Sequence, residues 1–288
     1  MITLIDGLSL GSIYALIALG YTMVYGIAKM LNFAHGDIIM VGAYSILVTM
    51  SAIMNPGVAV VVSIVVCTLL GIFIEKAAYK PLRGASPLAV LITAIGVSYL
   101  LQSVAQLVFG SKSQPVPGWN VPPVAFFEKY GIRTSAVVTL IAAAVIMIVL
   151  TLFINLTKTG SAMLATSEDR GAAQLMGVNV NGIITTTFAI GSALAAFAGM
   201  FYLLQIPNAE PTLGAMPGIK AFTAAVIGGI GSIPGAMLGG VLLGIIEKIC
   251  LSIPAVSPYT TSIEFSLLIL ILLVKPTGIL GKKRREKV

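Results

Sequence analysis

Charged residues are scarce in this sequence, at 9% of 288 residues, and it contains one histidine and two cysteines. So little charge argues against an ordinary soluble domain. His35 cannot form a metal site alone, and Cys67 and Cys250 lie in apolar runs without neighbouring ligands, which favours a packing role. We therefore predict neither a metal nor a cofactor.

The sequence also lacks the common signatures of nucleotide and hydrolase chemistry. No segment fits the phosphate-binding pattern G-x-x-x-x-G-K-[ST], and "TGILGKK" has the wrong spacing. H-E-x-x-H, paired cysteines and a serine nucleophile elbow are absent as well. We predict no catalytic residue and no ATP binding through such a loop, and a membrane enzyme is a weaker alternative.

Apolar residues are abundant, at 58% of the chain, and the mean hydropathy is +1.04. Several runs reach the ~20 residues that cross a bilayer as a helix, and they are continuous rather than alternating, which argues against a barrel. The predicted class is an all-α, polytopic membrane protein forming one unit over 1–288. The candidate spans are 5–27, 36–54, 57–78, 87–110, 135–156, 182–204, 218–231, 234–252 and 261–280. Because 218–231 is short and glycine-rich, a re-entrant or broken helix with eight full spans is the alternative.

The basic residues predict the orientation, since cytoplasmic segments carry an excess of Lys and Arg. Nine crossings with the N-terminus outside and the C-terminus inside place twelve of the 17 basic residues in the cytoplasm, five of them in the tail 281–288. This distribution accounts for the net charge of +7 without a nucleic-acid partner. The outer side receives Lys112, Lys129, Arg133, Lys220 and Lys248.

The longest outer loop, 111–134, contains Trp119 and the Phe126–Phe127 pair. These aromatic side chains suit a surface at headgroup level, either as an interfacial anchor or as a docking surface. Small residues recur further on, at Gly231, Gly235 and Gly239 and again at Gly240 and Gly244. This spacing predicts close packing of helices, with a break near Pro234.

Four polar residues at or within the spans are candidates for a translocation path: Asn32, His35, Asp37 and Glu247. An ionisable group in mid-membrane costs ~2.5–3.5 kcal/mol on insertion scales, so each one needs a reason. The first three surround Gly36 and form either a polar break lining the path or a helix cap with a packed histidine. Glu247 either contributes to the path or pairs with its neighbour Lys248.

Segment 157–181 gathers Glu168, Asp169 and Arg170 between two apolar spans, and its residues 157–180 predict two short helical turns lying on the membrane surface. Ser167 is the predicted N-cap of a short surface helix over 167–177, with the two acids in its first turn. Gly177 suits the left-handed position that ends a helix. The apolar patch between them, which would enter a groove on another protein or lie on the bilayer, consists of Ala172, Ala173, Leu175 and Met176.

Four stretches in order carry a resemblance to a known family. "SEDRGAAQLMGVNV" resembles the coupling loop of ABC transporter permeases. "GSIYALIALGYTMVYGIAKMLNFAHGDIIMVGAY", "AVIGGIGSIPGAMLGGVLLGIIE" and "VKPTGILG" resemble segments of the branched-chain amino acid permeases, over nearly the whole chain. One departure is "GSAMLA", with Ser161 and Leu164 where the family pattern often has arginines.

The resemblance implies a subunit of an ATP-driven importer in the inner (plasma) membrane of a prokaryote, with a type II-like ABC importer fold. It implies two ATPase subunits, a second related permease and a periplasmic or lipid-anchored solute-binding protein. It also implies that the ATPases bind the coupling loop at Ser167, Glu168, Asp169, Arg170, Ala173, Leu175, Met176 and Gly177. Branched-chain amino acids are the implied solutes; amides, urea or other small amino acids, and a self-contained secondary carrier, are the alternatives.

Overall fold

The computed structural model describes residues 2–281 and consists almost entirely of helices. The helices are α1 (Ile2–Ala28), α2 (His35–Ile53), α3 (Pro56–Ile74), α4 (Pro87–Phe109), α5 (Ala125–Glu128), α6 (Thr134–Leu156), α7 (Lys158–Glu168), α8 (Arg170–Leu175), α9 (Val180–Gln205), α10 (Ala215–Gly228), α11 (Ile233–Ser252) and α12 (Thr260–Val274). Two strands, β1 (Gln114–Pro115) and β2 (Asn208–Ala209), form a short antiparallel pair. In the described part, eight helical segments are long and apolar enough to cross a membrane, which confirms the polytopic all-α class.

Local sequence signals set several helix starts. Asn55 and Ser86 are N-caps whose side chains accept hydrogen bonds from Val58 N and Ala89 N, and each is followed by a proline at the first helical position. A π-helical turn over Glu75–Tyr79 and a 3-10 turn over Lys80–Leu82 lengthen α3. These turns carry the chain to the same end of the bundle as the C-terminus of α1.

Helix α1 lies at the centre of the bundle, and every residue from Ser9 to Val24 is buried. Its closest neighbour is α11, which runs antiparallel to it. A Cβ atom added to Gly11 would lie 2.7 Å from Val241 Cα, so the two backbones are in direct contact. Such small residues allow the close approach that stabilises helix pairs in membranes.

Helix α11 carries two glycine stripes that face different helices. Gly240 and Gly244 pack against the backbone of α1, whereas Gly235 and Gly239 pack against α10. The predicted close packing is therefore confirmed for these four positions. Gly231 has another role, since it has a φ of +92° in the loop before α11 and no atom lies within 4 Å of its Cβ position. Pro234 lies in the first turn of α11, so the predicted break precedes it.

Helix α10 forms only part of a crossing. Its 14 residues span about 21 Å, less than the ~30 Å hydrocarbon core. The preceding strand β2 pairs with β1, which belongs to the segment that leads to Arg133, an ion-pair partner of Asp6 at the start of α1. The loop after α10 instead reaches the other end of α1, where a Cβ on Gly26 would lie 3.6 Å from Gly231 Cα. Residues 206–228 thus lead from one end of the bundle to the other as a short strand, a turn over 211–214 and a short helix.

This arrangement settles the number of crossings in the described chain at eight long helices and one broken crossing, so residues 2 and 281 lie at opposite ends. We call these ends the α1-N end and the α1-C end, after the terminus of α1 that each contains. The predicted span 261–280 is too long, because α12 ends at Val274, just before Pro276. Of the predicted basic tail 281–288, residues from Lys282 onward lie outside the described part.

The segment after α12 closes the C-terminus of α10. Ile279 N and Leu280 N donate hydrogen bonds of 2.8 Å to the carbonyl oxygens of Ile227 and Gly228, the last residues of that helix. These carbonyls have no partner within the helix, and a helix end inside an apolar environment needs one. The segment 275–281 therefore completes the backbone hydrogen bonding of the broken crossing.

Three buried side chains, one lysine and two glutamates, join α10 to its neighbours. Lys220 Nζ lies 2.8 Å from Glu247 Oε1 on α11 and 3.2 Å from Glu264 Oε2 on α12. Tyr14 of α1 donates a hydrogen bond of 2.7 Å to Glu247. The sequence had suggested Lys248 as the partner of Glu247 and had placed Lys220 on the outer surface; both expectations are wrong, because Lys220 is buried and points at the two acids.

Replacing Lys220 with Met should destabilise the protein by about 3–5 kcal/mol, since it leaves two buried carboxylates without their cation. The matched control is Lys248→Met, which removes the adjacent, partly exposed lysine of α11 and should cost little. Thermal unfolding of the purified protein in detergent measures both. Equal midpoints for the two variants would show that the cluster does not hold α10 in place.

Candidate functional site

The segment predicted as a coupling loop forms two short helices, as the sequence indicates, but the boundary between them differs from the prediction. Helix α7 ends at Glu168, and Asp169 starts α8 as its N-cap by accepting a hydrogen bond of 3.0 Å from Ala172 N. Ser167 is not the cap, because it lies in the last turn of α7 and its hydroxyl donates to Leu164 O. The predicted helix start at Ser167 is therefore wrong, and Glu168 ends one helix instead of starting another.

The end of α8 follows the prediction. Gly177 has a φ of +85°, the left-handed conformation that glycine adopts without a steric penalty. Val178 N donates to Ala173 O and Gly177 N donates to Gln174 O, both at 3.0 Å, which is the Schellman pattern of helix ends. The chain then turns into α9, whose N-cap Asn179 accepts a hydrogen bond from Gly182 N.

The two faces of α8 have different surroundings. Leu175 and Met176 are 90% and 85% exposed, which is unusual for adjacent large apolar side chains outside the spans. Ala173 is only 5% exposed and faces the bundle, so it does not belong to the exposed apolar patch to which the sequence assigned it. We call 157–181 the docking segment and Leu175–Met176 its apolar tip. Ser161 and Leu164, at the positions of the departure from the family pattern, are both exposed on α7.

Arginine side chains fasten this segment to the bundle. Arg170 Nη2 donates a hydrogen bond of 3.0 Å to Ile27 O, near the C-terminus of α1. Burial, and next the charge of Arg83, lowers the pKa of the Arg170 guanidinium from its ordinary value. Arg83 itself bonds the buried Glu75 and Asn181 at the start of α9. The docking segment thus lies at the α1-C end, in contact with α1 and beside the junction of α3 and α9.

The three polar residues around Gly36 lie inside the bundle. Asn32 accepts a hydrogen bond of 2.9 Å from Tyr79, and Asp37 accepts one of 2.9 Å from Gln102 of α4. His35 packs against Gly20 in the middle of α1, with its ring 4.8 Å from that of Tyr21. The connection between α1 and α2 therefore folds back to mid-bundle depth, and α2 starts there without a side-chain cap.

The start of α2 contacts the backbone just before α10, the helix of the broken crossing. A Cβ on Gly36 would lie 2.5 Å from Gly214 O, so the first residues of α2 and the residue before α10 are in backbone contact. Glu247 belongs to the separate cluster with Lys220 and Glu264 described above. All four candidate path residues are at most 9% exposed in this chain, so the structure does not bring them together on an open surface.

The structure of the predicted outer loop differs from the prediction at one aromatic residue. Trp119 is buried and donates a hydrogen bond of 3.3 Å to Met200 O of α9, so its expected place on the outer surface is wrong. Phe126 is exposed and packs edge-to-face on Phe127 and Tyr130. These rings remain the aromatic surface of the α1-N end.

Comparisons with known proteins match this architecture. A family model described as "Branched-chain amino acid transport system / permease component" covers residues 3–274. The high-affinity branched-chain amino acid transport system permease protein BraD of Pseudomonas aeruginosa is 44% identical, over 99% of this chain and 97% of its own. LivH of Escherichia coli K12, with the same description, is 43% identical over 98% and 96%.

A solved structure, PsaBC from Streptococcus pneumoniae in complex with Fab, has a similar fold, with a TM-score of 0.51, 14% sequence identity and coverage of 94% of this chain and 91% of that one. It shows the fold alone. The family match and the near full-length relatives agree with a multi-pass membrane bundle. This chain belongs to the permease component family of branched-chain amino acid transport systems.

Proposed function

We propose that this protein is a membrane-spanning subunit of an ATP-driven importer of branched-chain amino acids, acting as one permease unit over 1–288. Family membership and the similarity to BraD and LivH, which are branched-chain amino acid permeases, support the solute class. The chain has no phosphate-binding loop of the common type, so the energy comes from partner subunits that hydrolyse ATP.

The observation that carries this proposal is the apolar tip of the docking segment. Leu175 and Met176 are almost fully exposed at the end of a short helix, which the exposed acids Glu168 and Asp169 precede. Charge keeps the segment out of the bilayer, whereas burial of one large apolar side chain in a protein groove stabilises a complex by about 1.5–3 kcal/mol. We propose that the apolar tip of each permease of the pair enters a cleft on one of two ATPase subunits.

The remaining partners follow from the same proposal. A second, related permease completes the translocation path, and a periplasmic or lipid-anchored solute-binding protein delivers the amino acid at the α1-N end. The bilayer covers the exposed apolar side chains of α3, α4, α6 and α12, which include Leu69, Leu107, Ile148 and Leu273.

Asn32, His35, Asp37 and Glu247 brace this path in our proposal. Their burial and hydrogen bonds favour a role in fixing the starts of α2 and α10 over direct contact with the solute. The stability of Lys220→Met tests the bracing role of Glu247. If this variant loses uptake but keeps the unfolding midpoint of the native protein, direct contact of Glu247 with the solute is favoured instead.

The orientation proposed from the basic residues puts the α1-C end in the cytoplasm and the N-terminus outside. Lys29, Lys76, Lys80, Arg83, Lys158, Arg170 and Lys275 lie toward that end. Because Lys220 is buried, the outer side has one basic residue fewer than the sequence predicts, and the excess of basic residues on the cytoplasmic side is larger.

Cysteine labelling in intact cells tests this orientation. Ser113→Cys, at an exposed position of the α1-N end, should react with a membrane-impermeant maleimide. Gln174→Cys, exposed on α8, should react only after the membrane is permeabilised. The native Cys67 and Cys250 are buried and free, so the unmodified protein is the low-background control. The reverse labelling pattern would contradict the orientation.

Leu175→Asp should weaken ATPase attachment at least about tenfold while the permease stays in the membrane, because it places a carboxylate in the proposed apolar groove. Co-purification of the ATPase subunits with the tagged permease, titrated against ATPase concentration, measures the loss. Gln174→Asp is the matched control: it adds the same charge one residue earlier and keeps the apolar tip. Normal attachment and transport by Leu175→Asp would rule out this docking site.

A further inference from the structure

The first residue of α8 connects the docking segment to the centre of the bundle. Arg170 follows the N-cap Asp169 directly, and its guanidinium reaches 3.0 Å from Ile27 O across 143 residues of sequence. Ile27 is the penultimate residue of α1, so the contact joins the start of one helix to the end of another. The other connections of α8 to the bundle are the packing of the buried Ala173, helix α7 and the turn into α9.

The chemistry of this contact favours a specific and persistent link. The last carbonyl groups of a helix have no donor within the helix, and a cation at this end is favourable because the helix dipole is negative there. Two side chains fill this need at the end of α1. Lys29, which ends the helix with a φ of +53°, donates from Nζ to Gly26 O, and Arg170 donates to Ile27 O. A charge-assisted hydrogen bond of this kind is stronger than a neutral one.

Helix α1 is well placed to distribute a displacement. It contacts α6, α7, α9, α10 and α11, and its backbone packs directly on α11 through Gly11 and Gly244. Tyr14, in the middle of α1, bonds Glu247 in the cluster that holds α10. A shift of the end of α1 therefore reaches both the broken crossing and the helix that follows it.

The other connections of α8 are less suited to this role. The turn into α9 contains Gly177, whose Cβ position faces open space, so no side chain packs against that residue. Arg83 bonds Glu75 and Asn181, which links α3 to α9 without including α8. On α8 itself, Leu175 and Met176 face outward, whereas Arg170 reaches inward to α1. One helix thus presents a partner-facing tip and a bundle-facing guanidinium.

We propose that Arg170 is the positioning residue through which movement of the docked segment is passed to α1, so that it couples ATP hydrolysis to solute transport. This inference rests on the proposed function, because it requires an ATPase at the apolar tip. It assigns to Arg170 a role different from attachment, which belongs to Leu175 and Met176.

The test uses the complete importer, with both ATPase subunits and the second permease, reconstituted with its binding protein in proteoliposomes. Arg170→Ala should keep the ATPases bound and keep ATP hydrolysis, but the ratio of leucine transported to ATP hydrolysed should fall at least about fivefold. Arg170→Lys should restore part of the ratio, since an ammonium also donates to a helix C-terminus. The matched control is Lys80→Ala, which removes an exposed cation at the α1-C end outside the docking segment and should leave the ratio unchanged.

The readouts separate this inference from simpler roles and from the proposed function. An unchanged ratio in Arg170→Ala would overturn the inference, and so would loss of the bound ATPases, since Arg170 would then only shape the docking site. Equal thermal midpoints of Arg170→Ala and the native permease in detergent, together with a reduced ratio, support coupling over loss of stability. The docking test distinguishes failure of the proposed function. If the ATPases do not bind at the apolar tip, Leu175→Asp will leave them attached, whatever result Arg170→Ala gives.

Discussion

The constraint on which this structure depends is that backbone N–H and C=O groups inside a bilayer need partners within the protein. Eight of the crossings in the described chain meet it as long helices. The ninth meets it with help from elsewhere: α10 is short, and its last carbonyls accept hydrogen bonds from Ile279 and Leu280. The N-terminus of α10 packs on the start of α2 through Gly214 and Gly36, so protein surrounds the irregular backbone there.

Enclosing a broken crossing requires neighbours that come close, and glycine supplies this closeness. Gly240 and Gly244 bring α11 onto α1, whereas Gly235 and Gly239 bring it onto α10, so one helix joins the central helix to the broken one. The buried cluster of Lys220, Glu247 and Glu264 then fixes α10 against α11 and α12. The same central helix receives Arg170 at its end, so packing and charge both converge on α1.

The sequence predicted features that depend on local composition and missed those that depend on distant partners. Span positions follow from continuous apolar runs, and the left-handed Gly177 follows from the residue's own conformational freedom. The N-cap was misplaced because Ser167 and Asp169 are both good caps, and only tertiary packing decides where α7 ends. The partner of Glu247 is Lys220, 27 positions away on another helix, which no spacing pattern indicates.

In the candidate site, the sequence located the docking segment but not its faces. Ala173 and Leu175 are both apolar, and only the fold shows that one faces the bundle and the other is exposed. The contact between Arg170 and Ile27 could not be inferred, because a backbone carbonyl at a helix end carries no side-chain signature. The prediction for Trp119 was wrong for a related reason. A tryptophan suits a membrane interface and a buried hydrogen bond equally well, and only the fold brings Met200 O within reach of its indole N–H.

The central claim is that this chain moves its solute only as part of an ATP-driven complex. Uptake of radiolabelled leucine, isoleucine and valine into proteoliposomes tests it most directly, with ATP supplied on the side of the docking segment and the binding protein on the other. We predict uptake that requires ATP, both ATPase subunits and the binding protein, and that is unaffected by collapse of a proton gradient. Uptake by the purified chain alone, driven by a proton gradient without ATP, would contradict the account and identify a secondary carrier.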